Sequence, residues 1–282
     1  MVIDLHTHSN RSDGTDTPKQ LVQAASKAGV STIALCDHDT MDGVEQAQEA
    51  GLELGVQVLR GLEMSTCVSG YTVHLLGYGA RPDDAGLARA LSQVRADRAT
   101  RLPRIIEALN QAGVSLTGED VLAVSAPGAT IGRPHVADAL VAVGVVANRQ
   151  EAFSQWLNQG RPGYVNHQRI DLAAGINLIR RAGGVAVLAH AWGRGARQVL
   201  SEPVIGQLAK QGLDGLEVDH NDHNQADRAA LAMVAKANEL IATGSSDYHG
   251  LGKIDHDIGC NSTTLPAFEA ILGLIGARGG CP

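Results

Sequence analysis

Short apolar runs alternate with amphipathic segments along most of this 282-residue chain. Brief runs of Val, Ile, Leu and Ala are typical of buried strands, whereas apolar residues that recur with a period near 3.6 indicate helices. The predicted strands lie at residues 2–8, 31–36, 56–59, 71–78, 185–189, 215–218 and 240–243. Predicted helices lie between them at 19–28, 43–54, 171–182 and 226–239, and Thr17-Pro18 is a capping signal for the first. This alternation predicts parallel βα units that form an α/β barrel.

The middle of the chain follows a different pattern. It is helical and loop-like from about residue 84 to 169, with few strand-like runs. The predicted helices there lie at 88–113, with a kink at Pro103, at 134–143 and at 149–158. We therefore predict a discontinuous barrel domain at 1–94 and 171–282, interrupted by a helical insertion domain at 95–170.

Side chains that bind metals follow the predicted strands. His6 and His8 are two residues apart at the end of the first strand, where alternate side chains share a face. Such a pair alone is weak evidence, because a buried histidine is more often a hydrogen-bonded core residue. The full set is His6, His8, Asp13, His38, Glu63, His74, His190, Asp247 and His249. Nine mixed imidazole and carboxylate ligands exceed the needs of one ion, and they favour divalent Mn, Fe or Zn.

Composition and charge limit the class of protein. Hydrophobic residues make up 44% of the chain and aromatic residues only 3%, so we expect an aliphatic core. The net charge of −7 disfavours a protein that coats nucleic acid through bulk charge. No apolar run has the length of a membrane span, about 18 residues, and the four cysteines lack metal-binding or disulfide spacing. These features predict a cytoplasmic protein with reduced thiols.

Charge divides the chain in the same way as the predicted elements. Residues 95–170 contain eight arginines, no lysine and six acidic residues, so the excess negative charge lies in the remainder. An acidic barrel suits bound cations, and an insertion rich in arginine suits an anionic substrate. Surface charge alone would produce the same division, so this observation is only supportive.

The candidate ligands belong to longer motifs. These are DLHTHSNRSDG (4–14), CDHDT (36–40), GLEMS (61–65), His74, LAH (188–190) and GSSDYHG (244–250). In combination they resemble the PHP family of metal-dependent phosphoesterases, the polymerase and histidinol phosphatase superfamily, over essentially the whole chain. The insertion, with IGRPHVADAL (131–140) and GRPGYV (160–165), is similar to that of a bacterial branch of nucleotide-bisphosphate 3′-phosphatases and 5′-to-3′ exoribonucleases. The chain departs from many relatives at Ala191, where proline is common, and at Cys36, where threonine is common.

The resemblance implies a distorted (βα)7 TIM-like PHP barrel that holds three divalent metal ions. Manganese is the most expected ion, with iron or zinc as alternatives. Glu63 would bridge two ions, and Asp13, His38 and His249 would form a more exposed third site. These four residues and His190 are the expected catalytic residues.

Other polar residues near these motifs are candidates for supporting roles. Asp4, Asp37 and Asp39 are candidates for orienting the imidazoles, and helix capping or turn formation is an equal alternative for each. We expect Cys36 to be a buried packing residue. No role is assigned to His167, His220, His223 and His256.

Arginines of the insertion are candidates for substrate binding. Arg133 and His135 lie in a turn before a predicted helix, within reach of the barrel mouth, and a guanidinium offers phosphate a bidentate pair of donors. A surface arginine at a helix start is the alternative. Arg98 and Arg101 are further candidates because similar arginines occur in the family branch, and a solvated helix face is the alternative there. Trp192 is placed to stack on a base, although packing is its more ordinary role.

The ligand set and the resemblance together predict hydrolysis of phosphate esters. Bound metal ions would make hydroxide available near neutral pH and neutralise charge during an in-line displacement. The expected substrates are 3′,5′-nucleotide bisphosphates or short 5′-phosphorylated RNA, with no membrane and no obligate protein partner. Histidinol phosphatase activity is one alternative, and a non-catalytic, metal-stabilised binding module is another. The group that protonates the leaving group stays open.

Overall fold

Strands and helices alternate in the structure, a computed structural model that describes residues 1–126, 129, 131–166 and 169–282 without the side chain of Ala99. His167 lies outside these residues. The strands are β1 (Val2–Thr7), β2 (Val30–Leu35), β3 (Gln57–Val68), β4 (Tyr71–Tyr78), β5 (Ile170–Asp171), β6 (Val185–Leu188), β7 (Gly215–Asp219) and β8 (Ile241–Gly244). The helices are α1 (Pro18–Lys27), α2 (Val44–Leu54), α3 (Ala85–Gln111), α4 (Gly118–Ala123), α5 (Arg133–Ala142), α6 (Arg149–Ala152), α7 (Leu172–Arg181), α8 (Glu202–Lys210), α9 (Gln225–Ala237) and α10 (Leu265–Arg278). A π-helical turn, Phe153–Leu157, extends α6, and 3-10 turns lie at Gly193–Gln198 and Gly250–Gly252.

The strands close into a barrel. Hydrogen bonds order them β1-β2-β3-β4-β6-β7-β8, and β5 pairs with β3. The ends of this order meet where Thr7 bridges Tyr248, and the His8 N–H donates to the Tyr248 carbonyl over 2.8 Å. The seven strands of this order confirm the predicted α/β barrel. In the described part of the chain, the helices are all too short or too polar to span a bilayer.

The barrel is distorted at β3 and β4, so the prediction of uniformly parallel βα units is wrong there. β3 continues to Val68 instead of ending near residue 59, and it pairs antiparallel with β4, which is also antiparallel to β6. Ser69 and Gly70 join β3 to β4, and their φ angles of +49° and +82° suit a two-residue hairpin turn. A crossover helix does not fit into two residues. Glu63 consequently lies within β3 rather than after it.

An apolar core fills one end of the barrel. Ile3, Leu5 and Tyr78 point into it from the strands, and the Tyr78 hydroxyl donates to the Leu5 carbonyl over 2.9 Å. Helix α10, which the hydrophobic pattern did not reveal, contributes Phe268 and Ile275 to the same core. The strand ends opposite α10 carry the polar side chains, as in other barrels of this type.

Helix α3 joins the barrel to the helical insertion. It begins at Ala85, because Asp84 accepts the Leu87 N–H over 2.9 Å, and it continues through Pro103. A second apolar cluster, with buried members from Ile105 to Val165, joins the later part of α3 to α4, α5 and the π-helical turn. This separate cluster supports an inserted domain, and the boundaries at 95 and 170 stay a prediction.

Candidate metal centre

The polar end of the barrel collects all nine predicted ligand residues. Eight of these side chains are buried, and His74 is half-buried. The strands place them as follows: His6 in β1, Glu63 in β3, His74 in β4, His8 and Asp13 after β1, His38 after β2, His190 after β6, and Asp247 and His249 after β8.

Glu63 lies at the centre of this cluster. Its Oε1 is 2.7 Å from His74 Nδ1 and 3.1 Å from His190 Nε2. Its Oε2 is 3.4, 3.2 and 3.1 Å from His6 Nε2, His8 Nε2 and His38 Nδ1, respectively. The two oxygens of one carboxylate thus face two different sets of imidazoles, which is the arrangement that a bridging ligand needs.

Most of the candidate ligands form overlapping groups. Within each group, the donor atoms lie within 4.8 Å of one another. The described residues form four such groups: His8, Asp13, His38 and His249; His6, His8 and Asp247; His38, Glu63 and His74; and His220, Asp247 and His256. Because His8 and His38 each belong to two groups, the sites are contiguous rather than separate.

Unpaired nitrogens show that these residues fit divalent metal ions. Within the described residues, four buried ring nitrogens have no hydrogen-bond partner, although each faces a carboxylate oxygen: His6 Nε2, His8 Nε2, His38 Nδ1 and His74 Nδ1. A buried polar atom without a partner costs about 1–3 kcal/mol. A metal ion between the imidazoles and carboxylates removes this cost, and mixed N and O donors suit Mn, Fe or Zn.

Burial and neighbouring charge set the protonation of the cluster. Desolvation lowers the pKa of His38 and that of His190 to about 3. Burial opposes the ionised form of Glu63, but His38 and the other imidazoles hold the pKa of this carboxyl well below its usual range. Burial also opposes a charge on His8, yet the nearby carboxylates of Asp247 and Glu63 raise its pKa to about 9. Metal binding at His8 would therefore displace a proton.

Glu217, which was not predicted from the sequence, orients two candidate ligands. Its Oε1 is 3.1 Å from His6 Nδ1, and its Oε2 accepts the His190 N–H over 2.6 Å. The Ser245 hydroxyl also donates to this carboxylate. With the proton held on Nδ1, His6 presents an unprotonated Nε2 to a metal. A charged residue in the middle of the apolar strand β7 was the available signal.

Asp4, Asp37 and Asp39 anchor the backbone next to candidate ligands, rather than orienting imidazoles or capping helices. Each carboxylate accepts hydrogen bonds from both the N–H and the hydroxyl of one serine: Ser246 for Asp4, Ser9 for Asp37 and Ser65 for Asp39. The N–H distances are 3.0, 2.9 and 2.7 Å. Two of these serines adjoin His8 and Asp247, so the bonds fix the positions of those ligands.

Asp247 is held by three side chains to which no role was assigned from the sequence. Its Oδ2 is 3.1 Å from Arg194 Nη2 and 3.3 Å from His220 Nε2, and it also accepts from Lys253. The remaining oxygen, Oδ1, faces His6 and His8 at 3.6 and 3.4 Å. One oxygen is thus fixed by the protein while the other is directed at the metal centre.

Arg98 has protein partners close to the centre. Its Nη2 is 2.7 Å from Asp39 Oδ2 and 2.5 Å from Ser65 Oγ. These contacts join α3 to β3 two residues beyond Glu63. Substrate binding by Arg98 stays a prediction, and the observed bonds give it a positioning role.

Arg101 and Arg133 form a cationic cluster with Arg98 at the insertion side of the mouth. Burial lowers the pKa of Arg101 to about 9, and the charges of Arg133 and Arg98 contribute to this shift. Arg133 lies 5.7 Å from the ring centroid of Phe153 and 5.9 Å from that of Tyr164. Burial lowers the pKa of Arg133 to about 10. Like charges held together under partial burial favour an anionic ligand.

His135 joins the insertion to the barrel. Its Nδ1 accepts the Gly132 N–H over 3.1 Å, and the ring also hydrogen-bonds to the backbone of Ser12. Both contacts lie within the protein, so substrate binding by His135 stays a prediction. Trp192 is buried and donates to the Leu200 carbonyl over 2.7 Å, as the packing interpretation expects.

Known proteins are similar to this chain over nearly its whole length. The PHP domain family matches residues 4–116. A 3′,5′-nucleoside bisphosphate phosphatase of Chromobacterium violaceum is 32% identical over 276 residues, with 98% of this chain and 97% of that protein covered. A 5′-3′ exoribonuclease of Haemophilus influenzae is 31% identical over 269 residues, with 94% and 97% covered. A solved structure from Bifidobacterium adolescentis, described as a metal-dependent phosphoesterase, has a TM-score of 0.92 and 36% identity, with 96% of each chain covered.

Proposed function

This chain belongs to the PHP family of metal-dependent phosphoesterases, and we propose that its substrates are nucleotides with two phosphates or short RNA with a 5′-phosphate. The reaction is hydrolysis of a 3′,5′-nucleotide bisphosphate to the 5′-mononucleotide and phosphate, or stepwise release of mononucleotides from the 5′ end of RNA. Similarity to the phosphatase of Chromobacterium violaceum and the exoribonuclease of Haemophilus influenzae supports both forms.

The observation that carries the proposal is Glu63 between five imidazoles, at distances from 2.7 to 3.4 Å. We propose that the nine predicted ligands hold three divalent ions, with manganese as the active metal. When bound, these ions supply Lewis-acid activation of water and stabilise the charge on phosphate oxygens. Glu63 and Asp247 bring negative charge to the centre of the site. Glu217 keeps the His6 ring proton away from the metal-facing nitrogen.

Two arginines are the proposed anchor for the phosphate that is not cleaved. Arg101 is buried beside Arg133. A bound phosphate would offset part of the free energy that desolvation of the two guanidinium groups costs. The rings of Phe153 and Tyr164 restrict the Arg133 guanidinium. A preorganised guanidinium loses less conformational entropy on binding, so this arrangement favours a doubly phosphorylated ligand or a phosphorylated chain end.

The insertion has a separate proposed role from the barrel. We propose that the barrel provides the chemistry and residues 95–170 provide recognition, without an obligate protein partner. An insertion over the barrel mouth favours a small substrate or a chain end over the middle of a polymer. The net charge of −7 also disfavours long-range tracking along a nucleic acid backbone.

A paired-substrate assay tests the function. Metal-depleted enzyme is reconstituted with manganese and given substrates of identical sequence that carry either a 5′-phosphate or a 5′-hydroxyl. We expect kcat/KM to be about 10- to 100-fold higher with the phosphate, because charge-assisted hydrogen bonds contribute roughly 1.5–3 kcal/mol. Arg133→Ala should reduce this preference, and the exposed Arg104→Ala on α3 is the matched control.

Four outcomes would contradict the proposal. Equal rates on both substrates, or cleavage of a circular RNA, would exclude anchoring at a 5′-phosphate. Turnover of histidinol phosphate without turnover of nucleotides would favour the alternative enzyme. Metal binding without hydrolysis of any of these esters would favour the binding module.

A further inference from the structure

Arg149, the first residue of α6, joins three parts of the molecule. Its Nε and Nη2 both contact the carboxylate of Asp138 on α5. Its Nη1 donates to the carbonyl of Asp13 over 3.2 Å and to that of Gly252 over 3.0 Å. One guanidinium thus connects two helices of the insertion to the loop that contains Asp13 and to the loop that follows His249.

The two barrel loops are also bonded to each other at this point. The Thr15 N–H donates to the His249 carbonyl over 3.1 Å, and the Leu251 N–H donates to the Thr15 hydroxyl over 2.9 Å. Arg149 approaches so closely that a Cβ at Gly252 would lie 2.4 Å from its Nη1. The contact between the guanidinium and the loops therefore depends on glycine at 252.

Helix α5 carries both the proposed anchor and the contacts to the metal loop. Arg133 is its first residue, His135 hydrogen-bonds to the backbone of Ser12, and Asp138 binds Arg149. All three residues lie on one helix of ten residues. A shift of the anchor would therefore also displace the contacts to the Asp13 loop.

We propose that Arg149 and Asp138 are a positioning pair that holds the Asp13 and His249 loops in the geometry needed for metal binding, at a fixed distance from the phosphate anchor on α5. The claim about the distance to the phosphate anchor rests on the proposed function, whereas the claim about metal binding does not. The Arg149 side chain is 18% exposed and that of Asp138 27%, so solvent screens this pair less than a surface ion pair. The Arg149 bonds to two carbonyls add a directional constraint that a charge pair alone lacks.

Metal titration without substrate tests the pair. Metal-depleted wild-type protein, Arg149→Met, Arg149→Lys and Asp138→Asn are titrated with Mn²⁺ in a calorimeter. We expect Arg149→Met to weaken the most weakly bound ion by about 10- to 100-fold, as is usual when a group that orients a ligand is lost. The Mn²⁺ affinity of Arg149→Lys should lie between those of this variant and wild type. An ammonium keeps the positive charge but lacks the planar set of N–H donors of a guanidinium. Arg104→Met, on the exposed face of α3, is the matched control and should titrate like wild type.

Hydrogen exchange of the metal-free proteins provides a second readout. In Arg149→Met the amides of Thr15 and Leu251 should exchange faster, whereas amides in α1 should not change. Wild-type Mn²⁺ affinity together with wild-type exchange would overturn the proposal, and so would an equal loss of affinity in Arg104→Met. If Arg149→Met does not fold, Arg149→Lys and Asp138→Asn decide by the same criteria. A wild-type protein that binds Mn²⁺ but does not hydrolyse nucleotides would refute the proposed function and leave the metal result valid.

Discussion

Replacing Glu217 with glutamine changes the hydrogen bonding of the metal centre without a large change in volume. The Glu217 side chain is fully buried, and three neighbours direct donors at it: His6 Nδ1, the His190 N–H and the Ser245 hydroxyl. A carboxylate accepts all three, whereas an amide has one oxygen and an NH2 group that only donates. The substitution therefore places a donor where the protein supplies donors.

Both orientations of the new amide are unfavourable. If its oxygen accepts from His190, its NH2 faces His6 Nδ1, and the His6 ring proton has to move to Nε2, which then cannot bind a metal. If its oxygen faces His6, its NH2 opposes the His190 N–H, and this buried donor loses its acceptor at a cost of roughly 1–3 kcal/mol. Either orientation disturbs one candidate ligand.

Two measurements check this reasoning. By calorimetry, Glu217→Gln should bind Mn²⁺ about 10- to 100-fold more weakly than wild type. In urea denaturation of the metal-free protein, its free energy of unfolding should be lower by up to about 3 kcal/mol. Glu269→Gln, on the exposed side of α10, is the control and should change neither quantity. Wild-type metal affinity together with wild-type stability in Glu217→Gln would refute the assignment of Glu217.

Three further predictions concern the centre and its support. Active, fully loaded protein should contain more than one divalent ion per chain by elemental analysis, because nine ligands exceed the needs of one ion; a single ion would contradict the bridging role of Glu63. Burial holds the pKa of His38 near 3 instead of 6.5, so its contribution to stability is complete above pH 6.5 and is lost as the pH falls toward 3. In urea titrations of the metal-free proteins, the free energy of unfolding of His38→Gln should consequently fall less than that of wild type between pH 6.5 and 4. Parallel plots of unfolding free energy against pH would refute this. Gly61→Ala should destabilise by about 1–3 kcal/mol in the same assay, because a Cβ there would lie 2.6 Å from Cys36 Sγ, whereas Gly273→Ala, with nothing within 4 Å, should not.

Local patterns predicted most strands and helices of the barrel, because each element depends on residues close together in sequence. The assignment of the nine metal ligands stays a prediction. The N-cap at Thr17 and the strand Tyr71–Tyr78 were visible from neighbouring residues alone. The extension of β3 to Val68 was not, since it depends on pairing with β4, and a short apolar run does not define its own end.

Roles that depend on distant partners were the hardest to predict. Glu217 contacts His6 across 211 residues, and Arg149 contacts Asp13 across 136. No spacing rule connects such positions. The paired hydrogen bonds from serines to Asp4, Asp37 and Asp39 were also hidden, because serine is common at turns and carries little positional information.

The bonds between Asp4 and Ser246 have a consequence for how the protein is made. These residues are 242 positions apart. His6 and His8 likewise have partners near the other end of the chain, at Asp247 and His249. During synthesis the helices of the insertion find their neighbours early, whereas the first strand remains without its last partners until the end of the barrel sequence has emerged. The metal centre therefore cannot be complete before residues 247–249 have emerged. An ion captured earlier by the first strand has an incomplete set of ligands and is released faster than from the finished enzyme.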